Sequence, residues 1–184
     1  MIGKFARVAL KTANLDYNGR LCMVSAGAGN KKAFGLDRIS NSWADLEHAK
    51  VVMICGTNVS ETFPTLTHYI WQARDNGAKL IVVDPRVTPI ARTADLHLPV
   101  KPGTDSALYG AMLKILVDND WLDHDFIDNH TSGFQETIDA VKNYDLPWAE
   151  KVTGIPAAKI LEAATLWGKA STSFLLHARG IEHH

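Results

Sequence analysis

Two short apolar runs constrain this chain most. Val51-Val52-Met53-Ile54-Cys55 and Leu80-Ile81-Val82-Val83 are short, unbroken and free of polar alternation. That is the pattern of strands covered on both faces. Each run ends abruptly in a turn, Gly56-Thr57-Asn58 after the first and Asp84-Pro85-Arg86 after the second. Between them, Leu66, Ile70 and Ala73 fall at helical spacing within Glu61–Asn76, broken early by Pro64 and stopped at Asn76-Gly77. A strand–helix–strand unit predicts that Val51–Cys55 and Lys79–Val83 pair as adjacent parallel strands through a right-handed crossover. The expected fold class is α/β, a doubly wound, mainly parallel sheet with flanking helices, of dinucleotide-binding type.

The remaining chain extends that pattern. Leu96, Leu98 and Val100 alternate within Asp95–Val100, a weaker third strand. Gly103-Thr104-Asp105 then opens a helix over Ser106–Asp118, capped by Thr104 or Asp105. Helices are expected over Asp123–Asn129 and Phe134–Lys142, from Pro147, and from Pro156 to about Gly168. Ser171–His177 is predicted as a last buried strand, ending at Ala178-Arg179-Gly180. Upstream, Lys4–Thr12 predicts a short helix and Asn14–Gly29 a loop-rich stretch. Lys31–Phe34 continues a helix stopped by Gly35. Asn41 or Ser42 caps a short helix through Glu47, with Asp45 completing a capping box.

Bulk properties exclude several classes. The 184 residues carry 19 basic and 20 acidic side chains, a net charge of −1, so neither a nucleic-acid footprint nor a membrane-surface charge is present. No apolar run approaches the ~20 residues of a membrane span. The first residues show no signal-peptide core and no twin arginine. Two cysteines make no disulfide framework. Cys55, inside an apolar run, is expected to be a buried small hydrophobe. Cys22 stands among Gly, Ala and Ser, where a metal or substrate can approach, and a thiolate suits a soft metal. The eight histidines show no metal-ligand spacing. His68, His97 and His124 are expected at the surface or an interface, and His183 and His184 stand too near the chain end to assign. Asp118, Asp120, Asp123, Asp125 and Asp128 are expected to form a solvated loop and cap region.

The strand-end loops carry the binding chemistry. Gly56-Thr57-Asn58, with Glu61 and Thr62 following, sits where a strand meets a helix, and free N–H groups there suit a phosphate. It is neither a G-x-G-x-x-G fingerprint nor a Walker A loop. Asp84 suits ribose or base hydrogen bonds, Pro85 stiffens the turn, and Arg86 suits a phosphate. Asp105 can accept two hydrogen bonds from the edge of a guanine. Each loop alone is an ordinary turn or cap; three at successive strand ends point to one nucleotide.

Taken together, these residues resemble the molybdopterin oxidoreductase family, which holds molybdenum or tungsten with two molybdopterin guanine dinucleotides. The resemblance runs from about Lys4 to Gly180. It rests on Asn14-Leu15-Asp16, Asn18, Arg20-Leu21-Cys22, Asp45-Leu46-Glu47, the Gly-Thr-Asn and Asp-Pro-Arg loops, Ala94-Asp95-Leu96-His97 and Pro102-Gly103-Thr104-Asp105. In that family the residue at Cys22 is the protein's ligand to the metal. Cys22-Met23 with Ser25-Ala26 is similar to assimilatory and periplasmic nitrate reductases, whereas formate dehydrogenases usually place histidine after the ligand. Gly27 departs from the family pattern, where the residue is usually larger.

The resemblance implies an internal segment of a larger catalytic subunit. Residues 1–50 would be a loop-rich metal-ligand segment of a preceding domain. Residues 51–184 would be an α/β molybdopterin guanine dinucleotide-binding domain, truncated at its C-terminus. The implied reaction is reduction of nitrate to nitrite by oxygen-atom transfer, with Cys22, Arg20 and Met23 as the catalytic set and Cys22 on the metal. Asn18, Cys22, Gly56, Thr57, Asn58, Glu61, Thr62, Asp84, Pro85, Arg86, Gly103, Thr104, Asp105, Arg179 and Gly180 would bind cofactor. The implied cofactors are bis-molybdopterin guanine dinucleotide with molybdenum (or tungsten), and a 4Fe-4S cluster in an N-terminal domain of the parent. The implied partners are a small-molecule substrate, an electron-donor protein or subunit and the rest of the parent chain. The implied place is the cytoplasm, with the periplasm left open. The alternatives are a formate dehydrogenase catalytic subunit and a cofactor-less scaffold or electron-transfer subunit of the same fold.

Overall fold

The computed structural model describes residues 1–37 and 41–183, apart from the Leu21 side chain. His184 therefore lies outside the described residues. Contacts divide the chain into two compact units, Met1–Ile39 with His183, and Ser40–Glu182.

The first unit is built on a helix, α1, Asn18–Phe34. It corrects the expectation of a loop-rich stretch over Asn14–Gly29. Gly19, Gly27 and Gly29 argue against a helix by propensity, yet the helical segment extends through them to Gly35. There the chain turns left-handed at φ 75°, and the Gly35 N–H donates to the Lys31 carbonyl at 3.0 Å. The expected helix over Lys4–Thr12 is also changed. A turn over Ile2–Lys4 passes into a wider π-helical turn over Phe5–Ala9, and the chain leaves it at Lys11 with φ 52°.

The second unit is a four-stranded parallel sheet. Its strands are β1 (Val51–Cys55), β2 (Lys79–Val83), β3 (Leu96–Leu98) and β4 (Ser173–His177), in the order β3-β2-β1-β4. Val51 stands opposite Lys79, as the paired apolar runs predict. Helix α2 (Pro64–Asp75) follows a short turn over Val59–Thr62, so Pro64 divides the expected helix in two. Pro64 is tolerated because it begins the new helix, where its missing N–H is not needed. Helices α3 (Asp105–Asp118), α4 (His124–His130), α5 (Phe134–Val141), α6 (Leu146–Thr153) and α7 (Ala157–Gly168) lie between β3 and β4 in the chain.

Strand periodicity sorts the core into two layers. Val51, Met53, Cys55, Ile81 and Val83 face Leu108, Ala111 and Met112 of α3 together with Ile160 and Ala163 of α7. Val52, Ile54, Leu80 and Val82 face Leu66, Ile70 and Ala73 of α2 and Leu46. Leu46 is delivered by a 3₁₀ turn, Trp43–His48, whose capping box is formed by Ser42 and Asp45 as the spacing predicts. Both sheet faces are therefore covered by helices, the doubly wound arrangement.

One strand departs from expectation. β4 is not buried: Ser173, Leu175 and His177 are exposed, while Phe174 and Leu176 pack partly against one layer. The reason is position, because β4 ends the sheet and pairs with β1 alone.

Candidate cofactor-binding edge

All four strands point the same way, so the turns that follow them share one edge. Gly56-Thr57-Asn58 follows β1, Asp84-Pro85-Arg86 follows β2, Gly103-Thr104-Asp105 follows β3 and Ala178-Arg179-Gly180 follows β4. The chain runs outward from β1 to β3, then returns on the other side of β1 as β4. That reversal is a switch point, the position where open parallel sheets take ligands.

Two glycines make the switch point close. Gly56 has φ 57°, and a Cβ on it would meet the Ile181 nitrogen at 2.6 Å and the Gly180 carbonyl carbon at 2.7 Å. The Gly180 N–H donates to the Gly56 carbonyl at 2.9 Å. Backbone crosses backbone here, and a side chain on either residue would part the two loops.

The Asp84 loop is held by its own backbone. Asp84 is 6% exposed, and one carboxylate oxygen, Oδ1, accepts from the Arg86 N–H at 2.8 Å. Its carbonyl lies 2.8 Å from His97 Nε2, and its N–H donates to Leu98 at 3.3 Å. His97 therefore braces the loop, a job that its sequence neighbourhood did not reveal. Pro85 and Arg86 are exposed. Asp95, from the same Ala-Asp-Leu-His stretch, works at the opposite edge, accepting from Lys79 Nζ and the Leu80 N–H at 2.9 Å each.

Thr57 and Asn58 are each 9% exposed, and Asn58 Oδ1 accepts from Ser60 Oγ at 3.1 Å. Thr62 Oγ1 turns back to the Asn58 carbonyl, and Glu61 is exposed beside it. Gly103 has φ 80° with open space around it. Thr104 stands at the N-cap of α3 but does not cap it, because its hydroxyl donates to the Lys101 carbonyl at 2.7 Å. Asp105 does not cap the helix either. Its side chain is 8% exposed and, among the described residues, holds no hydrogen bond or ion pair. Its charge raises the Cys55 thiol and the Tyr109 phenol slightly, so it lies near the end of β1. Cys55 is fully buried, and burial pushes its thiol up to about 12, so it is inert at neutral pH. A partnerless acceptor behind an open glycine turn fits a ligand that brings hydrogen-bond donors.

In the first unit, Cys22 and Met23 are half-buried on α1, and Asn18 and Arg20 are exposed at its start. Arg20 pairs with Asp16 at 3.3 Å. His183 Nε2 lies 3.0 Å from the Cys22 carbonyl oxygen. Arg179, at the end of β4, pairs with Glu182, which also meets His177 Nδ1 at 3.0 Å. No helix among the described residues is long and apolar enough to cross a membrane.

Fold and edge together define an open parallel α/β protein whose turns gather at the carboxyl ends of its strands. Residues 1–180 match the family model described as molybdopterin oxidoreductase, and the chain belongs to that family. Membership implies a molybdopterin cofactor. The chain is 42% identical over 183 residues to the assimilatory nitrate reductase catalytic subunit of Bacillus subtilis, covering 99% of this chain and 26% of that protein. It is 36% identical over 181 residues to the F420-dependent formate dehydrogenase subunit alpha of Methanocaldococcus jannaschii, covering 98% and 27%. Acetylene hydratase from Pelobacter acetylenicus superposes with a TM-score of 0.81 at 28% identity, over 89% of this chain and 22% of that one. The chain thus spans about a quarter of the length of the curated relatives it matches.

Proposed function

We propose that the protein carrying this chain reduces nitrate to nitrite, with its metal held by bis-molybdopterin guanine dinucleotide. The observation that supports the dinucleotide part of the reading is Asp105, 8% exposed as a residue, whose carboxylate holds no hydrogen bond among the described residues. A hydrogen bond to a charged group contributes about 1.5–3 kcal/mol. The guanine edge offers two adjacent N–H donors, and a carboxylate accepts both. Adenine offers no such pair.

The other loops serve the rest of the dinucleotide. Asp84 keeps Oδ2 for a ribose hydroxyl, because Oδ1 is committed to the Arg86 N–H. Arg86 meets a phosphate, with Pro85 fixing the turn. Thr57 and Asn58 present backbone and side-chain donors after the Gly56 turn, whose own N–H stays on the Val83 carbonyl at 2.9 Å, with Glu61 and Thr62 beside them. Gly103 and Thr104 leave room for the base. Arg179 and Gly180 would bind the pterin part of the cofactor. In the first unit, Asn18 and Arg20 would position the pterin or substrate side, Met23 would complete the catalytic set, and Cys22 would be the protein's ligand to molybdenum or tungsten. The metal–pterin group supplies two-electron oxygen-atom chemistry when bound. Overall, nitrate takes two electrons and two protons and gives nitrite and water. A donor protein or subunit would supply the electrons, a 4Fe-4S cluster elsewhere in the parent would carry them, and the proposed place is the cytoplasm, with the periplasm as the alternative.

Formate oxidation is the second reading. It draws on the 36% identity to a formate dehydrogenase subunit across nearly the whole chain. Met23, where formate dehydrogenases usually carry histidine, favours nitrate. Turnover by the full-length protein separates the two. Nitrate-dependent reoxidation of a reduced dye is expected, falling by at least a hundredfold in Cys22→Ala. Formate-dependent dye reduction without nitrate turnover would replace the first reading with the second.

A further inference from the structure

Tyr109 lies four residues beyond Asp105 on α3, so the two share a helix face. Helical side chains lean toward the N-terminus, which sends the Tyr109 ring back over the Asp105 turn. The Tyr109 hydroxyl is buried and, among the described residues, meets no nitrogen or oxygen partner. Its polar neighbour is the Cys55 thiol, a weak hydrogen-bonding group at the end of β1. One turn away stands a carboxylate with no hydrogen bond among the described residues, and here a buried donor with only a thiol beside it.

Two such groups on one helix face are complementary. The buried hydroxyl alone loses the hydrogen bonds that water would supply. Joined, the phenol O–H would fix one oxygen of the carboxylate and orient both toward the crevice. We propose that Tyr109 is the positioning residue for the guanine edge: its hydroxyl donates to the Asp105 carboxylate when a guanine nucleotide is bound, setting the carboxylate for two-point acceptance. Burial, with Cys55 and Asp105 close by, pushes the phenol well above its ordinary pKa, so the proton needed for donation stays in place. The inference rests on Asp105 being the guanine acceptor, as proposed above.

The two ideas separate experimentally. The probes are GDP, IDP (which lacks the 2-amino group) and ADP, titrated calorimetrically into cofactor-free full-length protein. Wild type, Tyr109→Phe and Asp105→Ala are compared. Tyr109→Phe is expected to weaken GDP about tenfold, to narrow the preference for GDP over IDP, and to leave ADP unchanged. The melting temperature of the unliganded Tyr109→Phe protein should stay level or rise, because a hydroxyl without a partner has been removed. A merely structural tyrosine would give the opposite: a lower melting temperature and equal losses for every nucleotide. That outcome overturns the proposal. So does GDP affinity within twofold of wild type in Tyr109→Phe while Asp105→Ala loses binding. If Asp105→Ala binds GDP as wild type does, the guanine reading itself is wrong and the role of Tyr109 falls with it.

Discussion

Asp95 sits inside a stretch that helps identify the family, yet its work is mechanical. One oxygen accepts from Lys79 Nζ and the other from the Leu80 N–H, each at 2.9 Å, tying the start of β3 to the start of β2. Burial pushes its carboxyl upward, but the hydrogen bonds from Leu80 and Lys79 and the nearby Lys79 and Arg74 charges outweigh it, and the net shift is downward. A depressed carboxyl stabilises the fold above the unfolded value, about 3.9. That contribution is lost as pH falls through the lower folded value. Asp95→Asn should therefore cost about 1–3 kcal/mol at pH 7, the range for hydrogen bonds to a charged group and for an unmet N–H. It should also flatten the loss of stability below about pH 4. Urea titrations across that range check both. An acid limb identical to wild type would assign the pH dependence to other carboxyls.

The strands were legible because β1 and β2 are buried on both faces, so burial wrote itself into sequence as unbroken apolar runs. Edge strand β4 looked the same in sequence, since an apolar run does not say how much of it is covered. Helix α1 was hidden by its glycines, which depress helix propensity without forbidding the helix. The site was legible only in part. Asp84 and Asp105 announced themselves by following strands, whereas the bracing by His97, the Tyr109–Asp105 face and the Gly56–Gly180 crossing join residues distant in sequence or separated by a helical turn. The crossing gives a direct test. Gly56→Ala adds a Cβ at φ 57° within 2.6 Å of another backbone. The strain and the forced separation should cost at least about 1–3 kcal/mol. Gly77→Ala serves as a comparison, since Gly77 also has positive φ (89°) but no atom within 4 Å of the added carbon. Thermal denaturation should show the Gly56 variant falling well below the Gly77 variant. Equal losses would reduce the crossing to a matter of φ alone.

One scaffold is shared by proteins named for nitrate reduction, formate oxidation and acetylene hydration. A fold that hosts three chemistries supplies binding and orientation, and the reaction is decided by the cofactor and what surrounds it. The 184-residue chain on its own should then have the binding edge without the reaction. Cys22, the ligand proposed above, cannot alone hold molybdenum against water, and the chain spans about a quarter of its relatives' length. Its first unit also exposes much apolar surface: Ile2 is 77% exposed, Val8 75% and Phe34 76%. Exposed side chains of this kind drive association. The purified chain is therefore expected to sediment as concentration-dependent oligomers and to reduce no nitrate with a dye donor. Paired substitution of Ile2 and Val8 by Ser should shift it toward monomer without restoring activity. Nitrate turnover by the 184-residue chain above a Cys22→Ala control would mean that these residues alone hold a working metal centre.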